Sequence, residues 1–122
     1  MTDLTQTLAA LIQPICAVSL QFPDAGAKFP IATLSQLGNE SAIALAGQER
    51  ISLQDWQVDV FDSGTTPQTA AALAARISDA LVAVGMQRYF GQRLDDASGI
   101  WRYTMRFRGY LDEQTNRIYE GV

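Results

Sequence analysis

Two stretches of the chain, residues 51–62 and 100–111, alternate apolar and polar side chains, and this pattern constrains the fold more than any other feature. Successive side chains of a β-strand point to opposite faces of a sheet, so the alternation predicts two strands that each bury one face. Ile51 and Leu53 fall on the opposite parity to Trp56, which predicts a β-bulge or a change of packing partner near residue 54. The predicted buried face carries Trp56, Val58, Val60, Trp101, Tyr103, Met105 and Phe107.

The opposite face of these two strands is predicted to be polar and charged. It carries Asp55, Gln57, Asp59, Arg102, Thr104, Arg106 and Arg108. The arginines could meet a partner subunit or passing nucleic acid. Alternatively, they could pair across the strands with the two aspartates on a solvent-exposed face. Both interpretations stay open, although exposed ion pairs contribute only about 0–1 kcal/mol each, so stability alone would not require them.

Two helices are predicted from apolar side chains at helical spacing. The first begins near Asp3, ends at Pro14 and has an apolar face of Leu4, Leu8, Leu11 and Ile12. The second spans residues 67–84, with Thr66 as N-cap, Pro67 as the first helical residue and Gly85 as the residue that ends it. Its apolar face is Ala70, Leu73, Ala74, Ile77, Leu81 and Val84.

The other segments are assigned from turn residues and shorter apolar runs. Residues 15–20, 31–37 and 86–94 are predicted strands, 21–30 and 95–99 connect them, and Gly38-Asn39 marks a turn. Residues 38–50 form either a flexible loop or, as we favour, a projecting hairpin arm that displays Ile43 and Leu45. The predicted fold is one α+β domain over residues 1–122 in the order α-β-β-β-α-β-β, with two helices packed on one face of a mostly antiparallel sheet.

Length and charge narrow the class of protein. The 122 residues suffice for one domain with a real core. The net charge of −4 does not favour a general nucleic-acid binder, since such proteins usually carry a basic surface. The single cysteine, Cys16, lies in an apolar run and is predicted to be a small buried hydrophobe. We expect no signal peptide and no membrane span, and a protein made in a cytoplasm-like compartment.

The sequence contains no histidine, which removes Ser-His-Asp and Cys-His catalysis and histidine metal sites. It also lacks the phosphate-loop and dinucleotide-binding fingerprints. Asp55 and Asp59 share one strand face, but a metal or two-carboxylate site would need further ligands there. A solvated polar face is therefore the favoured interpretation of these aspartates. We expect no catalytic residue, no metal and no cofactor.

The order of several short motifs resembles one known family. An N-terminal amphipathic helix leads to Phe29-Pro30-Ile31, and the strand at residues 56–62 is followed at once by an amphipathic helix that ends in Val84-Gly85-Met86. A strand containing Arg88 follows, and then residues 103–110 (YTMRFRGY) and Arg117-Ile118-Tyr119. This arrangement, from about Leu4 to Tyr119, resembles the tail terminator (tail-completion) proteins of long-tailed bacteriophages and prophages.

The resemblance implies a structural virion protein with no catalytic residues. Members of that family are α+β domains that assemble into a hexameric ring, which caps the tail tube and meets the head-side connector while DNA passes through the lumen. It implies partners of three kinds: other copies of the chain, the tail tube protein and the connector. Assembly would take place in the host bacterial cytoplasm. Residues 38–50 match no fixed pattern of the family.

Two alternatives remain beside this interpretation. The chain could be a neck or head-completion protein that docks on the connector side. Less favoured is a small ligand-binding or hydrolytic domain that uses Asp55 and Asp59. In the tail-terminator interpretation, the residues expected at a subunit interface or the lumen are Arg102, Arg106, Arg108, Asp55, Asp59, Ile43 and Leu45.

Overall fold

The structure, a computed structural model, describes residues 2–21, 28–95 and 98–120. Two helices and six strands occur in this part of the chain. In chain order they are α1 (Thr5–Ile12), β1 (Val18–Ser19), β2 (Ile31–Leu45), β3 (Gln48–Asp62), α2 (Gln68–Ala83), β4 (Gln87–Asp95), β5 (Trp101–Asp112) and β6 (Ile118–Tyr119). The predicted α+β class and the order of the main elements are confirmed. The short strand β6 was not predicted.

The strands form one open sheet in the order β1-β2-β3-β5-β4, and β6 pairs with the end of β5. The pairs β2–β3, β3–β5 and β4–β5 are antiparallel, whereas β1 runs parallel to β2. The mostly antiparallel sheet and the hairpin of the last two long strands are therefore as predicted. In the centre, β3 and β5 pair in unbroken register from Ile51–Asp112 to Asp62–Trp101.

Both helices contribute to one hydrophobic core on a single face of this sheet. The strands supply Trp56, Val58, Val60, Met105 and Phe107, all buried as their parity predicts. The helices supply Leu8, Ile12, Ala70, Ala74, Ile77 and Leu81. The small alanines of α2 let its backbone lie close to the strands. Of the remaining predicted positions, Leu4 is buried, Val84 is exposed, and the others are partly buried at the margin of the core: Leu11, Leu73, Trp101 and Tyr103.

The helix ends follow local hydrogen bonding. The Asp3 carboxylate accepts a hydrogen bond of 2.9 Å from the backbone N–H of Thr5, as expected at the start of a helix. Thr66 was predicted as the N-cap of α2, and this is wrong by one residue. Pro67 occupies the N-cap, and its carbonyl accepts the bond from the Ala71 N–H. Gly85 ends the helix with φ of +109°, and a Cβ there would lie 2.1 Å from a backbone oxygen of residue 118.

The first predicted strand, residues 15–20, is shorter in the structure. The N–H groups of Ile15 and Cys16 both donate to the carbonyl of Ile12, so these residues continue the end of α1, and only Val18–Ser19 forms a strand. Cys16 is buried as predicted. Burial, with a smaller effect of the Asp62 charge, raises the pKa of its thiol. Within the predicted connections, residues 22–27 and 96–97 lie outside the described part.

The predicted turn at Gly38-Asn39 is wrong, because β2 continues through it to Leu45. A register shift between Gln36 and Gly38 absorbs one extra residue as a bulge, which explains why a turn-like residue is tolerated inside a strand. The chain reverses instead at Ala46-Gly47, both at positive φ, between the paired residues Leu45 and Gln48. Residues 38–50 are thus a hairpin, as favoured over a loop.

The bulge predicted near Gln54 in β3 is also wrong. Two of the register shifts between β2 and β3 skip a residue of β2 and the third skips Arg50 of β3, so none lies at Gln54, and β3 keeps its register with β5. The parity switch has another cause: Ser52 and Gln54 are polar residues on the core face, and both are fully buried. No helix in the described ranges is long and apolar enough to cross a membrane.

Candidate functional site

The face of the sheet opposite the helices carries the charged residues that the sequence singled out. In the register of β3 and β5, Asp55 faces Arg108, Gln57 faces Arg106, and Asp59 faces Thr104. These six residues and Arg102, whose opposite residue is Phe61, form what we call the open face. Because each strand is regular here, alternate side chains project on this side and stack in rungs across the strands.

Asp59 lies at the centre of the best-formed rung and is only 1% exposed. Its Oδ1 accepts hydrogen bonds from Arg102 Nε at 2.9 Å and from the Thr104 hydroxyl. Its Oδ2 accepts a 2.9 Å bond from Gln57 Nε2. The prediction of a solvated polar face is therefore wrong for Asp59. The neighbouring strands enclose this carboxylate, and its hydrogen bonds and ion pair offset the cost of burying it.

Asp55 belongs to a looser and more exposed rung. The Tyr89 hydroxyl donates to Oδ1 at 2.5 Å, and Arg108 Nη2 lies 3.7 Å from Oδ2. Burial is the main cause that raises the pKa of Tyr89. The bond to the Asp55 carboxylate acts in the same direction, and Arg108 opposes it. The predicted cross-strand pairing with both aspartates is thus observed within one chain, from Arg102 and Arg108.

Arg106 differs from its two neighbours because its partner is a neutral amide. Its Nε donates to Gln57 Oε1 at 3.2 Å, and the residue is exposed. Each of the three open-face arginines also lies over an aromatic ring. The guanidinium-to-ring distances are 5.4 Å for Arg102 and Phe61, 5.2 Å for Arg106 and Phe90, and 4.2 Å for Arg108 and Tyr89. Such cation–π contacts hold the flat guanidinium groups in fixed orientations.

Ile43 and Leu45, the two apolar residues of the predicted arm, lie near the turn of the β2–β3 hairpin. Ile43 is 37% exposed and Leu45 is 60% exposed. Ile43 pairs with Ile51, the last β3 residue that also pairs with β5, so residues beyond it extend past the rest of the sheet. The structure thus brings Asp55, Asp59 and the three arginines together, and it places Ile43 and Leu45 apart from them.

Sequence reasoning missed a polar cluster under the N-terminal segment. Gln54 Nε2 donates to the Thr2 carbonyl at 3.2 Å, and Gln54 Oε1 accepts from Trp56 Nε1 at 3.3 Å. The Glu113 carboxylate accepts from the Thr2 N–H at 3.3 Å and from its hydroxyl. Two polar residues at core parity, Ser52 and Gln54, were the available signal.

A cleft of about 500 Å³ lies between α1, the end of α2 and the segment that leads into β6. Leu11, Val84 and Ile118 give it apolar walls, and Arg117 lies at its margin. It does not contain the open-face residues. The described residues hold no group of three or more His, Cys, Asp or Glu side chains that could bind a metal ion.

The carboxylates of Asp55 and Asp59 are poorly placed for hydrolytic chemistry. All four of their oxygens contact groups of the same chain: Tyr89 and Arg108 for Asp55, and neighbouring β3 and β5 side chains for Asp59. A general base or a metal ligand must instead offer a lone pair to a substrate or ion. The geometry suits a structural role for both residues.

Comparison with known proteins gives a likeness of fold. No protein-family model matches the sequence. A search of curated proteins finds no match. Among solved structures, the chain is similar to one from a structure described as "Virion of native gene transfer agent (GTA) particle". The TM-score is 0.55 at 20% identity, and the match covers 91% of this chain and 83% of that chain.

Proposed function

We propose that this protein is a structural component of a phage or prophage virion. In this proposal it forms a homo-oligomeric ring, with six subunits in the family it resembles, that caps the tail tube and joins it to the head-side connector. The observation that carries the proposal is the fold shared over nearly the whole chain with a chain from a gene transfer agent virion. The motif order in the sequence supports it independently.

The open face suits contact with protein better than tight binding of DNA. Arg102 and Arg108 already face carboxylates of their own chain, so their charge is partly neutralised. Phosphate binding draws its strength from basic groups that displace counterions, and a net charge of −4 opposes it further. In the proposed ring, DNA therefore passes through a lumen that does not hold its phosphates firmly.

The same surface is proposed to fix the orientation of neighbouring subunits. Charged rungs held by hydrogen bonds and aromatic rings are rigid, and rigid charged groups favour one docking register over others. The exposed Ile43 and Leu45 on the arm would add apolar contact with an adjacent subunit or with the tube.

The decisive test combines native mass spectrometry and electron microscopy of the purified full chain, alone and mixed with tail tubes. We expect a closed ring that binds one end of each tube. A protein that remains monomeric and never associates with tube ends would contradict the proposal. Co-purification with portal-side components instead of tubes would assign the chain to head completion, the alternative role within the same class.

A further inference from the structure

The sheet has two long edges on which backbone groups lack a partner strand among the described residues. On one side, β4 pairs with β5 along one edge and leaves its other edge open. On the other side, β1 covers β2 only at Ala32 and Thr33, so the outer edge of β2 is open from Leu34 to Leu45. Open edges of this length can pair with strands of another chain.

Neither edge carries a residue that blocks such pairing outright, although bulges interrupt both strands, in β2 between Gln36 and Gly38 and between Ser41 and Ile43. The sequences of β2 and β4 contain no lysine and no proline, the two residues that most often block an edge. Both edge strands instead display large apolar side chains to solvent: Leu37, Ile43 and Leu45 on β2, and Tyr89 and Phe90 on β4. A bulge between Arg88 and Phe90 disturbs only the beginning of β4, and the rest of the strand is regular.

Strand direction makes the two edges complementary. Three successive antiparallel pairings separate β2 from β4, so these two strands run in opposite directions. A rotation about an axis parallel to the strands leaves strand direction unchanged. In a ring built by such rotations, β4 of one copy would meet β2 of the next in antiparallel orientation, with the helices of both copies on the same side of the sheet.

We propose that copies of this chain join head to tail through their sheet edges, with β4 of one copy paired to residues 34–45 of β2 in the next. The inference rests on the proposed ring and names the contact that builds it. Pairing of unlike edges leaves one free edge of each kind at the end of every incomplete assembly, so growth stops only when the ring closes. A symmetric β4–β4 contact would stop at a dimer.

Disulfide cross-linking tests this contact in the full-length protein. The variant Gln92→Cys places a thiol on the open-face side of β4, because residue 92 pairs with Thr104. The changes Ser35→Cys, Glu40→Cys and Ile43→Cys, one at a time, place a second thiol on the same side of β2. Cys16→Ala removes the native thiol. Directly opposed strand residues lie within the Cα separation that a disulfide needs, about 4.4–6.8 Å.

The matched control combines Gln92→Cys with Ser41→Cys. Residue 41 lies on the same edge strand, but it pairs with Ser52 and therefore projects to the helix side. We expect mild oxidation to give a ladder of covalent multimers for at least one of the three test pairs and none for the control. Circular dichroism confirms that each variant is folded, which is expected because all substituted edge positions are exposed.

The outcomes of these experiments distinguish a failure of the edge contact from a failure of the proposed ring. A native mass spectrum that shows a ring while no test pair cross-links would overturn the edge pairing and leave the ring in place. Covalent dimers from Gln92→Cys alone, as the end product, would overturn it in favour of β4–β4 pairing. A monomer under all conditions would overturn both proposals. Hydrogen exchange of the unmodified protein gives a second readout: amides in residues 34–45 and 87–95 should become protected in the ring.

Discussion

The helix-covered face and the open face of the same four strands show two different ways to stabilise a sheet. On the covered face, Trp56, Met105 and Phe107 are at most 1% exposed, and their contribution comes from apolar burial. On the open face, carboxylates, amides and guanidinium groups bond to one another across the strands. A sheet whose second face served only solubility would not need a carboxylate as buried as Asp59.

The largest loss of stability should come from a mutation that creates a cavity on the covered face. Trp56→Ala removes a large side chain from the centre of the core, and we expect it to lower the free energy of unfolding by about 3–5 kcal/mol. Urea denaturation followed by circular dichroism measures this loss. The matched change on the open face, Arg106→Ala, should cost less than about 1 kcal/mol. Equal losses from both variants would show that the two faces do not differ as described.

A smaller loss of stability is expected when the buried rung of the open face, centred on Asp59, is disrupted. Asp59→Ala leaves Arg102, Gln57 and Thr104 without their shared acceptor, so we expect a loss of about 1–3 kcal/mol. The control is Asp55→Ala, whose carboxylate is 26% exposed and lies 3.7 Å from its arginine. It should cost less than about 1 kcal/mol. A control as costly as Asp59→Ala would contradict the ranking of the two rungs.

A substitution at Arg106 can distinguish effects on folding stability from effects on subunit assembly. Because this side chain is exposed and bonds to a neutral amide, Arg106→Glu should change the free energy of unfolding by less than about 1 kcal/mol. If the open face contacts a neighbouring subunit, the same change should shift the native mass spectrum from ring to monomer. Arg76→Glu, on an exposed position of α2, makes the same change of charge away from the open face and should leave the ring intact. An unchanged ring in both variants would remove Arg106 from the interface.

The difference between the faces also explains how much the sequence could predict. Parity alone placed Trp56, Met105 and Phe107 in the core, because apolar alternation reports directly on which side of a strand is covered. It could not show that Asp59 is buried, because its enclosure depends on side chains that β5 brings across from more than forty residues away. Gly38-Asn39 looked like a turn for a similar reason, since only the pairing of β2 with β3 shows that a bulge absorbs it.

The buried polar cluster near the N-terminus combines both modes of stabilisation on the covered side, and its sequence pattern was misleading. Ser52 and Gln54 occupy core parity, and the break in the apolar pattern predicted either a bulge or a change of packing partner. In the structure, the Gln54 amide donates to the backbone carbonyl of Thr2, a residue far away in the chain, and also to the Ser52 hydroxyl. Local periodicity carries no information about such a partner.

This cluster gives the smallest predicted effect, which appears only in acid. Although burial acts to raise the pKa of Glu113, hydrogen bonds from Thr2 and Ser52 outweigh it and lower the pKa below its usual 4.5. A carboxyl whose pKa is lower in the folded state stabilises the fold above the unfolded-state pKa and loses that contribution as the pH falls through the folded-state value.

We therefore compare the free energy of unfolding of the native protein and Glu113→Gln from neutral pH downward. The native protein should be the more stable above pH 4.5, and the difference should shrink below it. Asp3 and Asp112, whose pKa values are also lowered by hydrogen bonds, are present in both proteins and cancel in this difference. A difference that stays constant through the acid range would mean that the charge of Glu113 does not hold Thr2 in place, and that the amide of Gln54 anchors the N-terminal segment without it.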